Sequence, residues 1–229
     1  MWWFTADTHF DHDNIIRHCD RPFKYVNSMN EYLIEQWNLV VGRGDVIVIA
    51  GDFAWANKGS HSYVEKMFTN QLNGSKIFLK GNHDHWSKTK MDHIYHRTIN
   101  GTRVTVCHYP FRSWVWGYNL HGHSHGTLVP MFNQLDVGVD NAKKLVGEYR
   151  PLSFEEVDTL IKTQNGRMKD ANLDYHQIEA AASNDVLPEH DTGGDECDLP
   201  IREEQVQPGE DQPAMSGTMR PFFSAGEHF

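Results

Sequence analysis

A chain of 229 residues with 39% apolar and 12% aromatic residues can bury one enzyme-sized core and carry a tail beside it. Its three cysteines, Cys19, Cys107 and Cys197, are too few and too scattered for a disulfide framework or a thiolate zinc knuckle, which suits a reducing cytoplasm. The net charge of −10 is unevenly placed: Asp170 to Phe229 hold 14 acids and two bases, so the body is near neutral and offers no basic stripe for a long duplex nucleic acid.

In chain order, Trp2 to Ala6 reads as a strand, too short for a leader or an anchor, and ends at Asp7-Thr8-His9. Asp11-His12-Asp13 offers N-caps for a short helix that Arg21-Pro22 breaks. Met29 to Val41 carries apolar residues at helical spacing and closes on Gly42 and Gly44. Asp45 to Ala50 is a buried strand ending at Gly51-Asp52. Tyr63 to Leu72 is a second helix, stopped by Asn73-Gly74, and Lys76 to Leu79 leads into Gly81-Asn82-His83-Asp84. This β-α-β-α-β order predicts a mostly parallel sheet with helices on its faces. Arg103 to Cys107 ends at His108, Gly117 to Leu120 leads into His121-Gly122-His123-Ser124-His125, and Phe132 to Val139 is followed by Asp140-Asn141. These short strands predict a second, antiparallel or mixed sheet. Pro151 to Lys162 is a last helix, with Ser153 as cap and Glu156 three residues on. Residues 1–166 read as one folded domain, the one expected to carry any activity, and 167–229 as an acidic C-terminal extension. Its stretch 170–182 can make a short amphipathic helix, and the remainder reads as disordered or as an interaction tail that could dock a protein partner. No stretch reaches the roughly 18 apolar residues needed to span a bilayer.

Twelve of the 15 histidines precede residue 126, and several directly follow predicted strands together with Asp or Asn. In order these groups are Asp7 and His9, Asp52, Asn82 and His83, His108, then His123 and His125. Nitrogen and oxygen donors without sulfur suit Mn, Fe, Zn, Co or Ni and are too rich in nitrogen for a Mg or Ca cage. Seven donors exceed one ion and serve two, and paired ions are a recurrent device for displacement at phosphorus.

The ordered set Asp-x-His, Gly-Asp, Gly-Asn-His-Asp, a lone His and Gly-His-x-His resembles the calcineurin-like metallophosphoesterase superfamily, in its small single-domain bacterial and phage form. The blocks span Asp7 to His125, and the likeness continues through Asp140 and Pro151. It implies an α/β fold, a four-layer α/β/β/α sandwich of two mixed sheets with a dinuclear centre at one rim. Carried over residue by residue, Asp7, His9 and His125 hold one divalent ion, Asn82, His108 and His123 the second, and Asp52 bridges both. Manganese is the first choice of metal. A hydroxide shared by the ions is then the nucleophile, His83 the general acid, and Asp84 the residue that orients His83. After Gly51-Asp52 comes Phe53-Ala54-Trp55 rather than the Asp-Arg-Gly of the protein serine/threonine phosphatases, and Asp84 stands where those carry Glu.

The expected substrate is a small nucleotide or similar phosphate ester, cleaved as a diester or a monoester. The alternatives are a nuclease on short or single-stranded nucleic acid and a silent scaffold that binds a partner. Arg112 and His12 are the weaker substrate contacts, Arg112 as a phosphate clamp. His85 flanks the same block, and His121 reads as a structural neighbour. Trp55, Trp86, Trp114 and Trp116 either pack the rim loops together or wall the site for a nucleobase, with packing preferred.

Overall fold

The alternation of Trp3 with Phe4, and of Ile47 with Val48 and Ile49, sends apolar side chains to both faces of one sheet, so that sheet needs cover on both sides. In a computed structural model of the chain, which describes residues 1–57, 59–114 and 117–170, it is covered on both. The first sheet has the order β3-β2-β1-β8, from β1 (Trp2–Thr5), β2 (Val46–Ile49), β3 (Ser75–Phe78) and β8 (Leu152–Ser153). Its first three strands are parallel and β8 runs antiparallel to β1. The second sheet has the order β4-β5-β6-β7, from β4 (Ile94–Ile99), β5 (Thr102–Cys107), β6 (Tyr118–His121) and β7 (Gln134–Asp136). It is mixed, with β4 antiparallel to β5 and the others parallel.

Two cores result. Trp3, Ile47 and Ile49 meet Ile15 and Ile16 of α1 (Asp13–His18), Met29, Leu33 and Trp37 of α2 (Val26–Val40) and Val64 of α3 (His61–Met67). On the other face, Phe4 and Val48 meet Val104, Val106, Leu120 and Leu135 of the second sheet. Ala142 of α4 (Val139–Val146) and Val157 and Ile161 of α5 (Phe154–Asp170) join them. This is the expected α/β sandwich of two mixed sheets. Among the described residues no helix is long and apolar enough to cross a membrane.

Several boundaries differ from the sequence reading. α2 begins at Val26 and ends on an extended Val41 rather than on a glycine cap. α3 stops at Met67 and a 3-10 turn, Thr69–Gln71, completes the connection. β4 was not expected, because His96, Arg97 and Thr98 give its exposed edge no apolar alternation; the Asn100-Gly101 pair, both at positive φ, closes it onto β5. The strand expected over Phe132 to Val139 is only three residues long, since Gly138 caps α4 and Val139 is already helical. Pro151 precedes a two-residue strand, and α5 starts at Phe154. Ser153 Oγ accepts from Glu156 N at 3.2 Å while Ser153 N donates to Glu156 Oε2 at 2.9 Å, the reciprocal box read from the sequence. α5 runs through Gly166 to Asp170. The helix expected over 170–182 and the rest of the acidic extension lie outside the described residues from Ala171 onward.

Candidate metal centre

Parallel strands bring their C-terminal ends to one rim, so residues distant in sequence meet there. Asp7 and His9 follow β1, Asp52 follows β2, Asn82 and His83 follow β3, His108 follows β5, and His123 and His125 follow β6. Main-chain bonds sew the rim together: Asp7 N donates to Gly51 O at 3.1 Å, His9 N to Asp52 O at 3.0 Å and Gly122 N to His108 O at 3.0 Å. Two glycines allow the approach. A Cβ on Gly81 would stand 2.1 Å from Asp52 Oδ1, and one on Gly51, at φ +90°, 2.6 Å from His108 Nδ1. Asp7, His9, Asp52, His123 and His125 also hold left-handed backbone, with φ from 47° to 69°. Such residues carry strain of order 1 kcal/mol or more, and strain of this kind collects where a side chain must be aimed.

The side chains converge. One donor atom each of Asp7, His9 and His125 lie within 4.8 Å of one another, and so do those of Asp7, Asp52 and His108. Asp52 Oδ2 is 3.4 Å from His108 Nε2 and 3.7 Å from His9 Nε2. Asn82 Oδ1 is 2.8 Å from His108 Nε2. The His123 ring lies 5.0 Å from that of His108, and the His123 main-chain N–H donates to both Asp7 oxygens, at 3.1 and 2.9 Å. Five of the seven predicted donors thus meet in these two clusters, with Asn82 Oδ1 and the more exposed His123 ring beside His108. Half-buried His83 lies beside them, its ring 5.4 Å from His9, and its N–H donates to Asp52 Oδ1 at 2.9 Å.

The electrostatics are those of a floor that wants positive charge. Burial pushes the Asp7 carboxyl up to about 7, although His125 and His108 pull the other way. Burial, followed by the cationic neighbours His125 and Arg21, holds His9 well below the usual imidazole range. Burial alone would lower His108, but its bond to Asp52 and the charges of Asp7 and Asp52 outweigh it and raise His108 to about 9. His108 Nδ1 faces the Ala50 carbonyl at 2.9 Å, and Nε2 faces Asn82 Oδ1 at 2.8 Å and Asp52 Oδ2 at 3.4 Å. The positive charge these two oxygens face is that of a protonated Nε2, and a divalent ion would take that proton's place. His9 Nε2, fully buried with no hydrogen-bond partner among the described residues, lies open to a cation. The residues fit divalent ions of the nitrogen-and-oxygen-loving kind.

Around the donors stand residues the motifs did not single out. Arg21 Nε and Nη2 grip Asp140 at 2.9 and 2.8 Å, while Nη2 and Nη1 donate to the carbonyls of Asp7 at 2.7 Å and Thr8 at 3.0 Å. Asp140 Oδ2 in turn holds His125 Nδ1 at 2.6 Å. Burial would raise Asp140, but His125 and Arg21 outweigh it and bring the carboxyl to about 2. Asp136 accepts from Ser124 Oγ at 2.8 Å and Gly126 N at 2.7 Å, fixing the loop of His123 and His125. Cys19, read only as a scattered thiol, lies within 4.8 Å of His125 and Asp140. The only sequence signals for these were Asp140 past a strand end and an arginine before a proline.

One expected role changes. Asp84 was assigned to orient His83, but its carboxylate accepts from Asp52 N at 2.8 Å, Gly81 N at 3.0 Å, Phe53 N at 2.9 Å and Trp86 Nε1 at 2.9 Å. Four donors exhaust a carboxylate's acceptor sites. Asp84 thus positions the backbone of Asp52, and the His83 ring packs instead on His9, His12 and Trp55. His12 is buried, with Nδ1 at 3.1 Å from His9 Nδ1 and its ring stacked on Trp55. Arg112 is exposed between Phe111 and Ser113, which line a separate cavity of about 870 Å³ against β4 and β5. His85 is exposed, and buried His121 faces its neighbour's carbonyl at 2.8 Å. Trp86 and Trp114 pack their loops, and Trp116 lies outside the described residues.

The profile of the calcineurin-like phosphoesterase family matches residues 2–198. The chain belongs to that family. An uncharacterized protein of Methanocaldococcus jannaschii is 31% identical over 163 residues, covering 69% of this chain and 89% of the relative. A crystal structure of a protein of unknown function from Aquifex aeolicus shares the fold at a TM-score of 0.53 and 22% identity, covering 70% of this chain and 99% of that one. As a calcineurin-like phosphoesterase the protein is a metal-dependent hydrolase of phosphate esters, and Asp7, His9, Asp52 and His108 are among its candidate metal ligands.

Proposed function

We propose that this phosphoesterase uses two divalent ions to hydrolyse a phosphodiester or phosphomonoester of a small, nucleotide-like molecule. Asp7, His9 and His125 would hold one ion, Asn82, His108 and His123 the other, and Asp52 both. The observation that carries the reading is the convergence of buried Asp7, His9, Asp52 and His108 with half-buried His125 on one floor, and half-buried His83 beside it. Manganese suits the donor set, as do Fe, Zn, Ni and Co. Ions bound there supply Lewis acidity, neutralising phosphoryl oxygens and making water acidic enough to attack near neutral pH.

The chain's own residues do the rest. Asp52 ties the main chain of His83 to the floor, so the proton donor and the donor cluster keep one spacing. The His83 imidazole is placed to hand a proton to the leaving oxygen. Arg21, through Asp140, holds His125 in one orientation, and the Ala50 carbonyl does the same for His108. Burial of Asp7 and Asp52 excludes bulk water and strengthens each of these interactions.

The test is hydrolysis of bis(p-nitrophenyl) phosphate and p-nitrophenyl phosphate by metal-stripped protein with Mn²⁺ added back. Turnover should need the metal and vanish in Asp52→Asn. His83→Ala should keep metal binding and lose roughly 10²–10⁴-fold in kcat. Protein that binds no divalent ion, or turnover indifferent to both substitutions, would refute the assignment.

A further inference from the structure

We infer that Trp55 is the platform on which an aromatic base of the leaving group stacks, which makes nucleoside phosphates and nucleotide diesters the substrates, rather than phosphate esters of sugars or polyols. The inference deepens the phosphoesterase reading and rests on it.

Trp55 is 38% exposed, whereas Trp86, on the neighbouring rim loop, is 3% exposed and tied to Asp84. One face of the Trp55 ring is already covered, by the His12 ring at 4.3 Å and 12° between planes. His12 is itself 8% exposed and backed by His9 Nδ1 at 3.1 Å. The indole therefore lies on the wall of the metal floor. Its backbone is fixed as well: Trp55 N donates to Phe10 O at 2.8 Å, and Ala54 bridges Phe10. A ring so held loses little freedom when a ligand stacks on it, which keeps more of the contact energy as affinity.

Position gives the platform its role. The Trp55 ring centre is 5.1 Å from that of His83, the group proposed to protonate the leaving oxygen. A group that leaves phosphorus beside His83 would have Trp55 next to it. A planar base stacks there whatever its identity, since every base has a π-face, whereas a sugar or polyol has no π-face and gains less from the indole. Trp55 thus selects for aromatic leaving groups without choosing among the bases.

The experiment compares AMP with ribose 5-phosphate, and the methyl diester of each, on wild type, Trp55→Ala and Trp55→Phe. Steady-state kinetics with Mn²⁺ give kcat/KM, and calorimetry on metal-stripped protein gives the affinity for AMP and ribose 5-phosphate. The wild type should favour the adenosine compounds by roughly tenfold or more, the scale of one base stack. Trp55→Ala should bring that ratio close to one by weakening only the adenosine compounds, and Trp55→Phe should restore most of it. A wild type without preference, or a Trp55→Ala that weakens both compounds equally, would overturn the platform. Metal-dependent turnover would persist in both of those cases. Absence of turnover on all four compounds, with the AMP binding preference intact and dependent on Trp55, would instead refute the phosphoesterase reading while supporting the platform.

Discussion

A methyl group on Gly81 would meet Asp52 Oδ1 at 2.1 Å and Asp52 N at 2.4 Å, both held by other bonds and unable to retreat. Gly81→Ala should therefore leave a folded protein by circular dichroism yet lose on the order of 100-fold in kcat, the scale of a misplacement near 1 Å. Asp84 acts on the same residue from the other side. In Asp84→Asn one oxygen becomes an NH₂ group that faces N–H donors, and buried donors lose their acceptor. Urea unfolding should show a loss of about 2–4 kcal/mol, with activity falling beyond what the unfolded fraction explains. Retained stability in Asp84→Asn would return the residue to a purely local role. The sequence pointed to Asp84 through its place beside His83, but adjacency in the chain did not show which way the carboxylate turns.

At the scale of the element, the reciprocal Ser153–Glu156 box starts α5 where β8 ends, and Arg150 adds a bidentate grip on Glu156 at 3.1 and 2.6 Å. Ser153→Ala should cost about 1 kcal/mol. Partial burial tends to raise the Glu156 carboxyl, but Arg150 and the Ser153 N–H outweigh it and hold it below its ordinary 4.5. A carboxyl depressed in the folded state stabilises above its unfolded value, and that contribution fades as pH falls through the folded one. The urea midpoint of Glu156→Gln should therefore lie below wild type at pH 7 and approach it at pH 3; a gap independent of pH would contradict this. The box was legible because it is local, a cap and its partner three residues apart. β4 was not, because an exposed edge strand needs no apolar alternation and takes its pairing from β5.

For the whole molecule, the buried rim couples metal binding to folding. Asp7, His9, Asp52 and His108 are each about 1% exposed or less, in a cluster whose like groups face one another. Ions that bind only the folded state stabilise it by mass action, by about 2.7 kcal/mol at a hundredfold excess over Kd. Stripping the metal should lower the thermal midpoint by several degrees, and Mn²⁺ should restore it in wild type and not in Asp52→Asn. Equal midpoints with and without metal would mean that the floor is stable by itself.

The sequence by itself showed the parallel βαβ half and the donor residues that follow its strand ends, because strand-end placement and residue chemistry are local properties that survive in one dimension; the sandwich class came through the likeness of those motifs to a family. Tertiary structure alone decided the surroundings of those donors. Arg21 reaches Asp140 across 119 positions of the chain, and His123 N reaches Asp7 across 116. Likewise it placed Asp84 on Asp52 rather than on His83 and buried His12 beneath Trp55. These arrangements depend on which loops the two sheets bring to a common rim, and on burial that only the packed sandwich creates.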